Sequence, residues 1–413
     1  MAKRKTAARK KVEGPSRREV ITDLKATINK RYKGRGVMMS GDEYEAPFLV
    51  LRRPSGLIEL DIACGGGLPA GGLSELIGKT ASGKTTLMNQ YFRMQQQLQG
   101  EETMLAIGMT EHKFDKGHAK FNCGVALPMN RREITAYEKT YRRVLTEVER
   151  LKMVEEIGIF EEIGADIVDT LYEIILDCVE SGKFDIIGID SWGAVLTKVA
   201  QEAEMDARIP GGAALINTMF VNKISGLFAV PQDGQMNYTT VLGINQYREK
   251  IGGKRNMRAG DMTNMSVQGG NALKHLKLLS IYLDSAALWK EVKGKNVRVG
   301  KKIKWTIYKG KAGCHDGAAG EFNLIYGKGL DIEGANMMAA MQRGIIVASG
   351  SWLSLVDSSD GTVILKSQGK ARMAADLAAD PDIHEWMRDE VFRYAIEEEG
   401  AIVNTNYLPP VDG

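Results

Sequence analysis

Two spacings of apolar residues alternate along most of this chain. Short apolar runs rich in β-branched residues lie at 73–77, 103–107, 184–189, 239–244, 278–283, 303–308 and 322–326. Each has the length of a buried strand, and polar residues close the runs at 103–107, 184–189 and 239–244. Between the runs the spacing becomes helical: Leu87, Tyr91, Phe92 and Leu98 follow the first run and stop at Gly100. Ile134, Tyr137, Tyr141, Val144, Val148 and Leu151 recur across a highly charged segment, 131–157, which predicts one surface helix held on the core by a single stripe. Ile21, Leu24 and Ile28 predict a short amphipathic helix over 17–32, ending near Gly34 and Gly36. That helix is too isolated to bury its stripe alone, so it should pack on the core or on another subunit. Strands alternating with helices predict an α/β fold around a mainly parallel twisted sheet, with ligands at the carboxyl ends of the strands. From about 331 the pattern changes to short helices and a hairpin at 352–365, which predicts a small α+β C-terminal domain. The expected organisation is a basic tail (1–16), an N-terminal helix and linker (17–50), a core (51–330) and a C-terminal domain (331–413). No internal repeat is evident.

Composition narrows the class without choosing a function. The 413 residues allow two or three domains, and 44% hydrophobic with 26% charged residues is ordinary for a globular protein. A net charge of +3 argues for no partner, but its distribution is uneven. Lys3, Arg4, Lys5, Arg9, Lys10, Lys11, Arg17 and Arg18 face one acid, Glu13, within the first eighteen residues. Such a run predicts a disordered, solvated tail able to attract a polyanion. Cys64, Cys123, Cys178 and Cys314 are scattered, with no metal-ligand spacing, as suits a reducing compartment without structural disulfides. No apolar run is long enough to span a bilayer, so a cytoplasmic protein is expected.

The chemistry begins at 78–85, Gly-Lys-Thr-Ala-Ser-Gly-Lys-Thr, which matches the phosphate-holding P-loop Gly-x4-Gly-Lys-[Ser/Thr]. Gly78 and Gly83 let the backbone bend so that its N–H groups face the phosphates. Lys79, Thr80, Ala81 and Ser82 form the span between them, and Thr86 continues into the helix. Lys84 reaches the β- and γ-phosphates, and the Thr85 hydroxyl ligates Mg²⁺. The flanking strand and helix patterns supply the right context, so the loop implies bound ATP or GTP. Asp190 closes the apolar run 186–189, where an acid completes the Mg²⁺ shell. Glu111 follows the run 103–107, where a carboxylate can polarise the attacking water. A Gln246 side chain after Asn245 can sense the γ-phosphate, although an ordinary polar strand end fits those two residues equally well. The segment 247–270 is rich in Gly and Met and carries Arg248, Lys250, Lys254, Arg255 and Arg258. It is too long for an ordinary connection and suits ordering on a phosphate backbone. A second segment, 201–212, contains Arg208, Gly211 and Gly212, and its charge alone does not point to nucleic acid.

Nearly end to end, the chain resembles a RecA-type homologous recombinase, bacterial or phage-encoded. The residues that carry the resemblance are Leu57-x-Glu59-Leu60-Asp61-Ile62-Ala63, Gly66-Gly67-Leu68-Pro69, Thr110-Glu111-His112, Ile189-Asp190-Ser191 and Ile244-Asn245-Gln246. They continue with Gly269-Gly270-Asn271-Ala272-Leu273-Lys274, Tyr308-Lys309-Gly310-Lys311 and Phe322-Asn323-Leu324-Ile325-Tyr326-Gly327. The resemblance implies that Glu111 is the general base and Gln246 the nucleotide sensor. It implies that Asp115 and His118 contact the adenine, and that Lys309 and Lys311 reach the ATP of a neighbouring subunit. It implies that 201–212 and 247–270, with Gly269, Gly270 and Asn271, bind single-stranded DNA, and that the 17–32 helix docks on the next subunit. ATP with Mg²⁺ would be the cofactors, single-stranded and homologous duplex DNA the partners, and a helical filament the assembly. The chain also departs from the pattern. His118 stands where many members have a tyrosine, His275 replaces an interface aromatic, and Lys254-Arg255 occupy positions that are apolar in the bacterial protein. The stretch 130–156 has no counterpart of similar length there, and few acids close the C-terminus. Two further readings stay open: a filament-modulating ATPase that binds DNA without strand exchange, and a ring helicase, against which the 17–32 helix and the C-terminal domain argue.

Overall fold

A computed structural model describes residues 16–32, 38, 51–110, 114–142, 144–192, 212–229, 236–249, 265–267, 273, 275–405 and 407. The basic tail before Ser16 lies outside them. The first element, α1 (Arg17–Arg31), opens on a capping box in which the Ser16 hydroxyl accepts from Glu19 N while the Glu19 carboxylate accepts from Ser16 N. It buries none of its side chains. A short antiparallel pair, β1 (Arg52–Arg53) with β2 (Leu68–Pro69), brackets α2 (Ile58–Ala63). Then come β3 (Gly72–Gly78) and α3 (Lys84–Gln99), which ends at Gly100.

The core continues through β4 (Met104–Met109), α4 (Arg131–Tyr141), α5 (Glu147–Val154), β5 (Ile159–Ile163), α6 (Val168–Glu180) and β6 (Ile186–Asp190). After these lie α7 (Gly212–Ala229), β7 (Thr240–Asn245), and a short antiparallel ribbon of β8 (Tyr247–Glu249) with β9 (Met265–Val267). Two long strands, β10 (Leu279–Val292) and β11 (Lys295–Gly310), form a hairpin, followed by β12 (Ala319–Ile325) and β13 (Gly329–Leu330). One nine-stranded sheet unites them in the order β13-β12-β11-β10-β3-β7-β6-β4-β5. It is parallel from β10 to β5 and antiparallel from β10 to β13. The mixed α/β architecture around a largely parallel sheet is as expected.

Strand residues alternate between the two faces of this sheet, as the period of two requires. Ile186, Leu242, Ile244 and Ile281 pack with Leu87, Tyr91 and Phe92 of α3. Ile187, Ile189 and Val241 pack on the other face with Leu171 and Ile175 of α6 and Phe220 and Ile224 of α7. A third cluster belongs to the C-terminal part: α8 (Ile332–Gln342), a three-stranded antiparallel sheet of β14 (Ile346–Ser349), β15 (Trp352–Val356) and β16 (Val363–Gln368), α9 (Lys370–Ala379) and α10 (Pro381–Glu397). Ile58 and Ile62 of α2 reach into it, which ties it to the core. The hairpin anticipated at 352–365 is there, with β14 as an additional strand.

One element differs from expectation. The segment 131–157 is not one helix but two, α4 and α5. Arg142 closes α4 at φ +48°, and a new capping box restarts the helix: Thr146 Oγ1 accepts from Glu149 N while the Glu149 carboxylate accepts from Thr146 N. An equivalent box of Asn130 and Glu133 opens α4. The helical spacing of apolar residues runs through the break, but the stripe does not stay on the core: Ile134 and Tyr137 of α4 pack against it, whereas Val144, Val148 and Leu151 are exposed and α5 is held by Met153 instead; the Thr-x-x-Glu signature is the local signal that divides the two helices.

Candidate nucleotide-binding site

The 78–85 loop links the C-terminal end of β3 to the N-terminus of α3. Gly83 caps α3 in the left-handed region, at φ +95°. A Cβ on Gly78 would lie 2.4 Å from Ser82 Oγ and 2.5 Å from Leu283 O, so close packing also demands glycine there. Lys79, Thr80 and Ala81 are exposed on the crown of the loop, while Ser82 and Lys84 are buried. Lys84 Nζ donates to Gly78 O at 3.0 Å and Lys79 O at 2.7 Å, which holds the ammonium inside the loop's curve. Ser82 Oγ is buried with no hydrogen-bond partner among the described residues.

Asp190 ends β6, and its Oδ2 accepts a hydrogen bond of 3.0 Å from Thr85 Oγ1. The two residues expected to hold a metal therefore meet. A hydroxyl and a carboxylate are hard oxygen donors of the kind Mg²⁺ takes, together with water and substrate phosphate oxygens. No group of three or more His, Cys, Asp and Glu able to hold a metal occurs among the described residues. The orphaned Ser82 hydroxyl and a helix N-terminus at the loop suit a phosphate in the same way. The residues present fit both Mg²⁺ and a nucleotide.

A cleft of about 330 Å³ opens beside the loop, between residues 81–86, the His118–Asn122 turn, Lys301 and the strand end 324–329. His118 lines it. Asn122 Nδ2 donates to His118 Nδ1 at 3.0 Å, which leaves the ring proton on Nε2, 3.2 Å from Thr86 Oγ1. Burial lowers the pKa of this imidazole, only partly offset by Asp115, so it is neutral at pH 7. Asp115 does not line the cleft; its Oδ1 accepts from His118 N at 2.9 Å and so positions the histidine. Lys301 was missed by sequence reasoning. Its Nζ donates to Ala81 O on the crown of the loop, and burial, with Arg298 nearby, lowers its pKa. No local motif marks it, since β11 brings it there from more than two hundred residues away. Tyr326 and Gly327 also line the cleft, and the aromatic–glycine step closing an apolar strand was a usable signal.

Gln246 follows β7 directly, half-buried, on the same sheet edge as Asp190, whose register partner is Ile244. Asn245 turns the other way: its Nδ2 donates to buried Glu75 at 2.7 Å, and Glu75 also pairs with Lys277. Glu111 lies outside the described residues. Thr110 just before it is clamped beside Asp190, with Thr110 N on Asp190 O at 3.0 Å and Thr110 Oγ1 on Ser191 O at 2.8 Å.

The lysine pair is elsewhere. Lys309 and Gly310 are registered with Ser280 and Leu279 at the start of β10, whereas Gly78 pairs with Leu283 further along it. Both Lys309 Nζ and Lys311 Nζ donate to His275 O, at 3.1 and 3.2 Å. Leu283 lies four steps beyond Leu279 along the strand, a rise of about 13 Å, so the pair sits toward the opposite end of the strands from its own P-loop. Burial, reinforced by Lys311 and Lys277, lowers the Lys309 pKa to about 8. Of the residues expected to bind DNA, Arg208, Gly211, Lys250, Lys254, Arg255, Arg258, Gly269, Gly270 and Asn271 lie outside the described residues. Gly212 heads α7, and Arg248 is in β8, registered with Ser266 of β9. Residues 247–249 and 265–267 thus pair as a short antiparallel ribbon directly after Gln246.

The pattern of the RecA N-terminal domain matches residues 19–129 and 163–331 and leaves 130–162 unmatched. Proteins named Protein RecA resemble the chain along most of its length. That of Fusobacterium nucleatum is 29% identical over 366 residues, covering 88% of this chain and 82% of the relative. That of Solidesulfovibrio magneticus is 28% identical over 395 residues, 95% and 93%. That of Mycobacterium sp. strain KMS is 30% identical over 343 residues, 83% and 84%. Among the described residues, no helix is long and apolar enough to cross a membrane.

Proposed function

This chain belongs to the RecA family, and from that premise we propose that it is an ATP-dependent DNA recombinase of a bacterial or phage-infected cytoplasm. It polymerises on single-stranded DNA, pairs that strand with a homologous duplex, and hydrolyses ATP to turn the filament over. The observation that carries this reading is the division of the site. The P-loop, Thr85 and Asp190 stand at one end of the central strands, and Lys309 with Lys311 toward the other. A nucleotide site holding both sets of cations needs a second copy of the chain.

In this reading the loop N–H groups and the α3 N-terminus cradle the phosphates, and Lys84 turns from the Gly78 and Lys79 carbonyls to them. Thr85 and Asp190 hold Mg²⁺, which when bound neutralises phosphate charge. His118, Tyr326 and Gly327 receive the base in the cleft. Glu111 takes a proton from the attacking water. Lys309 and Lys311 of the next copy offset charge developing on the transferring group. Gln246, at the root of the β8–β9 ribbon, couples the γ-phosphate to the basic segment 247–270.

The test is ATP turnover with and without single-stranded DNA, alongside electron microscopy. DNA stimulation and filaments are expected; neither appearing defeats the proposal. Glu111→Gln should keep ATP binding, slow turnover by about 10²-fold and trap filaments on DNA. Joint-molecule formation with homologous duplex separates a recombinase from a DNA-binding ATPase that only modulates filaments.

A further inference from the structure

Two ammonium groups rest on carbonyls of the phosphate loop. Lys84 Nζ lies within the curve, on Gly78 O and Lys79 O, and Lys301 Nζ lies on Ala81 O at the crown. The backbone of Lys301 is fixed from both sides. In β11 it is registered with Ala287 of β10 and with Leu324 of β12, and Leu324 lines the nucleotide cleft. Ile303, two residues on and so on the same face of the strand, also meets the loop: a Cβ on Gly83 would stand 3.3 Å from Ile303 Cδ1. Lys302, on the other face, turns to a carboxylate, donating to Glu321 Oε1 at 2.7 Å. Lys301 meets a neutral carbonyl, a weaker partner for an ammonium than a phosphate oxygen, so an anion entering the cleft can take it over. A second cation stands close by. Arg298 lies 5.9 Å from the centroid of the Tyr326 ring, which lines the same cleft. Burial, with the charge of Arg298, lowers the Lys301 pKa, and an anion at this wall relieves both effects.

Position selects which part of a nucleotide Lys301 meets. Lys84 and the metal pair Thr85 and Asp190 stand at the β- and γ-phosphate end, and His118, Tyr326 and Gly327 at the base end. Lys301 bridges the two, since it touches the loop through Ala81 and borders Leu324, two residues before Tyr326. The part of a nucleotide that spans this interval is the α-phosphate with its ribose. We propose that Lys301 is a nucleotide-binding residue whose ammonium leaves Ala81 O for the α-phosphate. The inference rests on the nucleotide site described above. It adds a contact made within one chain, and because ATP and ADP share the α-phosphate, it serves the affinity for both rather than the response to the γ-phosphate.

Binding of Mg-ATP and Mg-ADP to the full-length chain, measured by calorimetry without DNA, tests it. Lys301→Ala should weaken both nucleotides by the same factor, about tenfold, with the unfolding midpoint of the nucleotide-free chain little changed. Lys301→Arg should keep most of the affinity. The advantage of wild type over Lys301→Ala should shrink as salt is raised, as that of a charge contact does. Lys302→Ala should bind both nucleotides as wild type does. A Lys301→Ala chain that binds them as tightly as wild type, or more tightly, overturns the proposal, since the lysine then only steadies the empty loop. A loss confined to ATP overturns the α-phosphate contact. A loss that salt does not alter and arginine does not restore marks a purely structural lysine and overturns it too. A wild type that binds neither nucleotide overturns the site itself.

Discussion

Lys84 illustrates how a residue's role is set by what surrounds its charge. Its ammonium is buried at the head of α3 and satisfied by the carbonyls of Gly78 and Lys79. Lys84→Ala removes the charge that meets the phosphates while leaving the apolar side of the helix intact. Phosphate release should fall by at least about 10²-fold with the thermal unfolding midpoint little changed. Lys309 makes the opposite case, a cation whose charge is lost within the working pH range. With its pKa lowered to about 8, it is charged below that pH and loses its proton as pH rises through it. If it meets a neighbour's phosphate, that anion favours the ammonium and moves its loss of charge to a pH above 8, so filament ATP turnover should fall only as pH rises beyond that value. Lys309→Arg, which stays charged, should move that fall to higher pH. Folding responds with the other sign. Between about 8 and the ordinary lysine value, the unfolded chain binds the proton that the folded chain has released, so stability from this group increases with pH while activity declines. Turnover that is flat across this range in both proteins removes Lys309 from the phosphate site.

Elements were legible where local and tertiary signals agree. The P-loop strand and α3 could be read because an apolar run, a glycine loop and a helical stripe stand in sequence, and Gly100 ends the helix as anticipated. β10 and β11 are far longer than the runs 278–283 and 303–308 that announced them. Beyond those runs both strands are mostly exposed, so ladder hydrogen bonds, not burial, extend them and no hydrophobic period marks their ends. The break between α4 and α5 was written in Thr146 and Glu149 but hidden by the apolar spacing that crosses it. Thr146→Ala should therefore cost about 1 kcal/mol, measurable in urea unfolding, and hydrogen exchange should quicken in α5 before any core strand. Equal protection of α5 in both proteins would deny the cap that role.

At the scale of the molecule, the separation of Lys309 and Lys311 from their own P-loop predicts complementation. Lys84→Ala and Lys309→Ala/Lys311→Ala chains should each be inactive. Mixed in equal amounts, they should recover about a quarter of wild-type turnover, since one random head-to-tail interface in four joins an intact P-loop to an intact lysine pair. No recovery would place the lysines' role within one chain. The sequence by itself determined the chemistry carried by contiguous residues: the phosphate loop, the parallel α/β order, the unburied stripe of α1, and the acid ending β6. These follow from spacing along the backbone, which any reader of the chain can count. Only the tertiary structure decided what distant segments do together. It set Thr85 against Asp190, brought Lys301 to the crown of the loop, turned Asn245 inward to Glu75, and left the α5 face open. Sheet register and packing make those contacts, and neither is a property of any local stretch of residues.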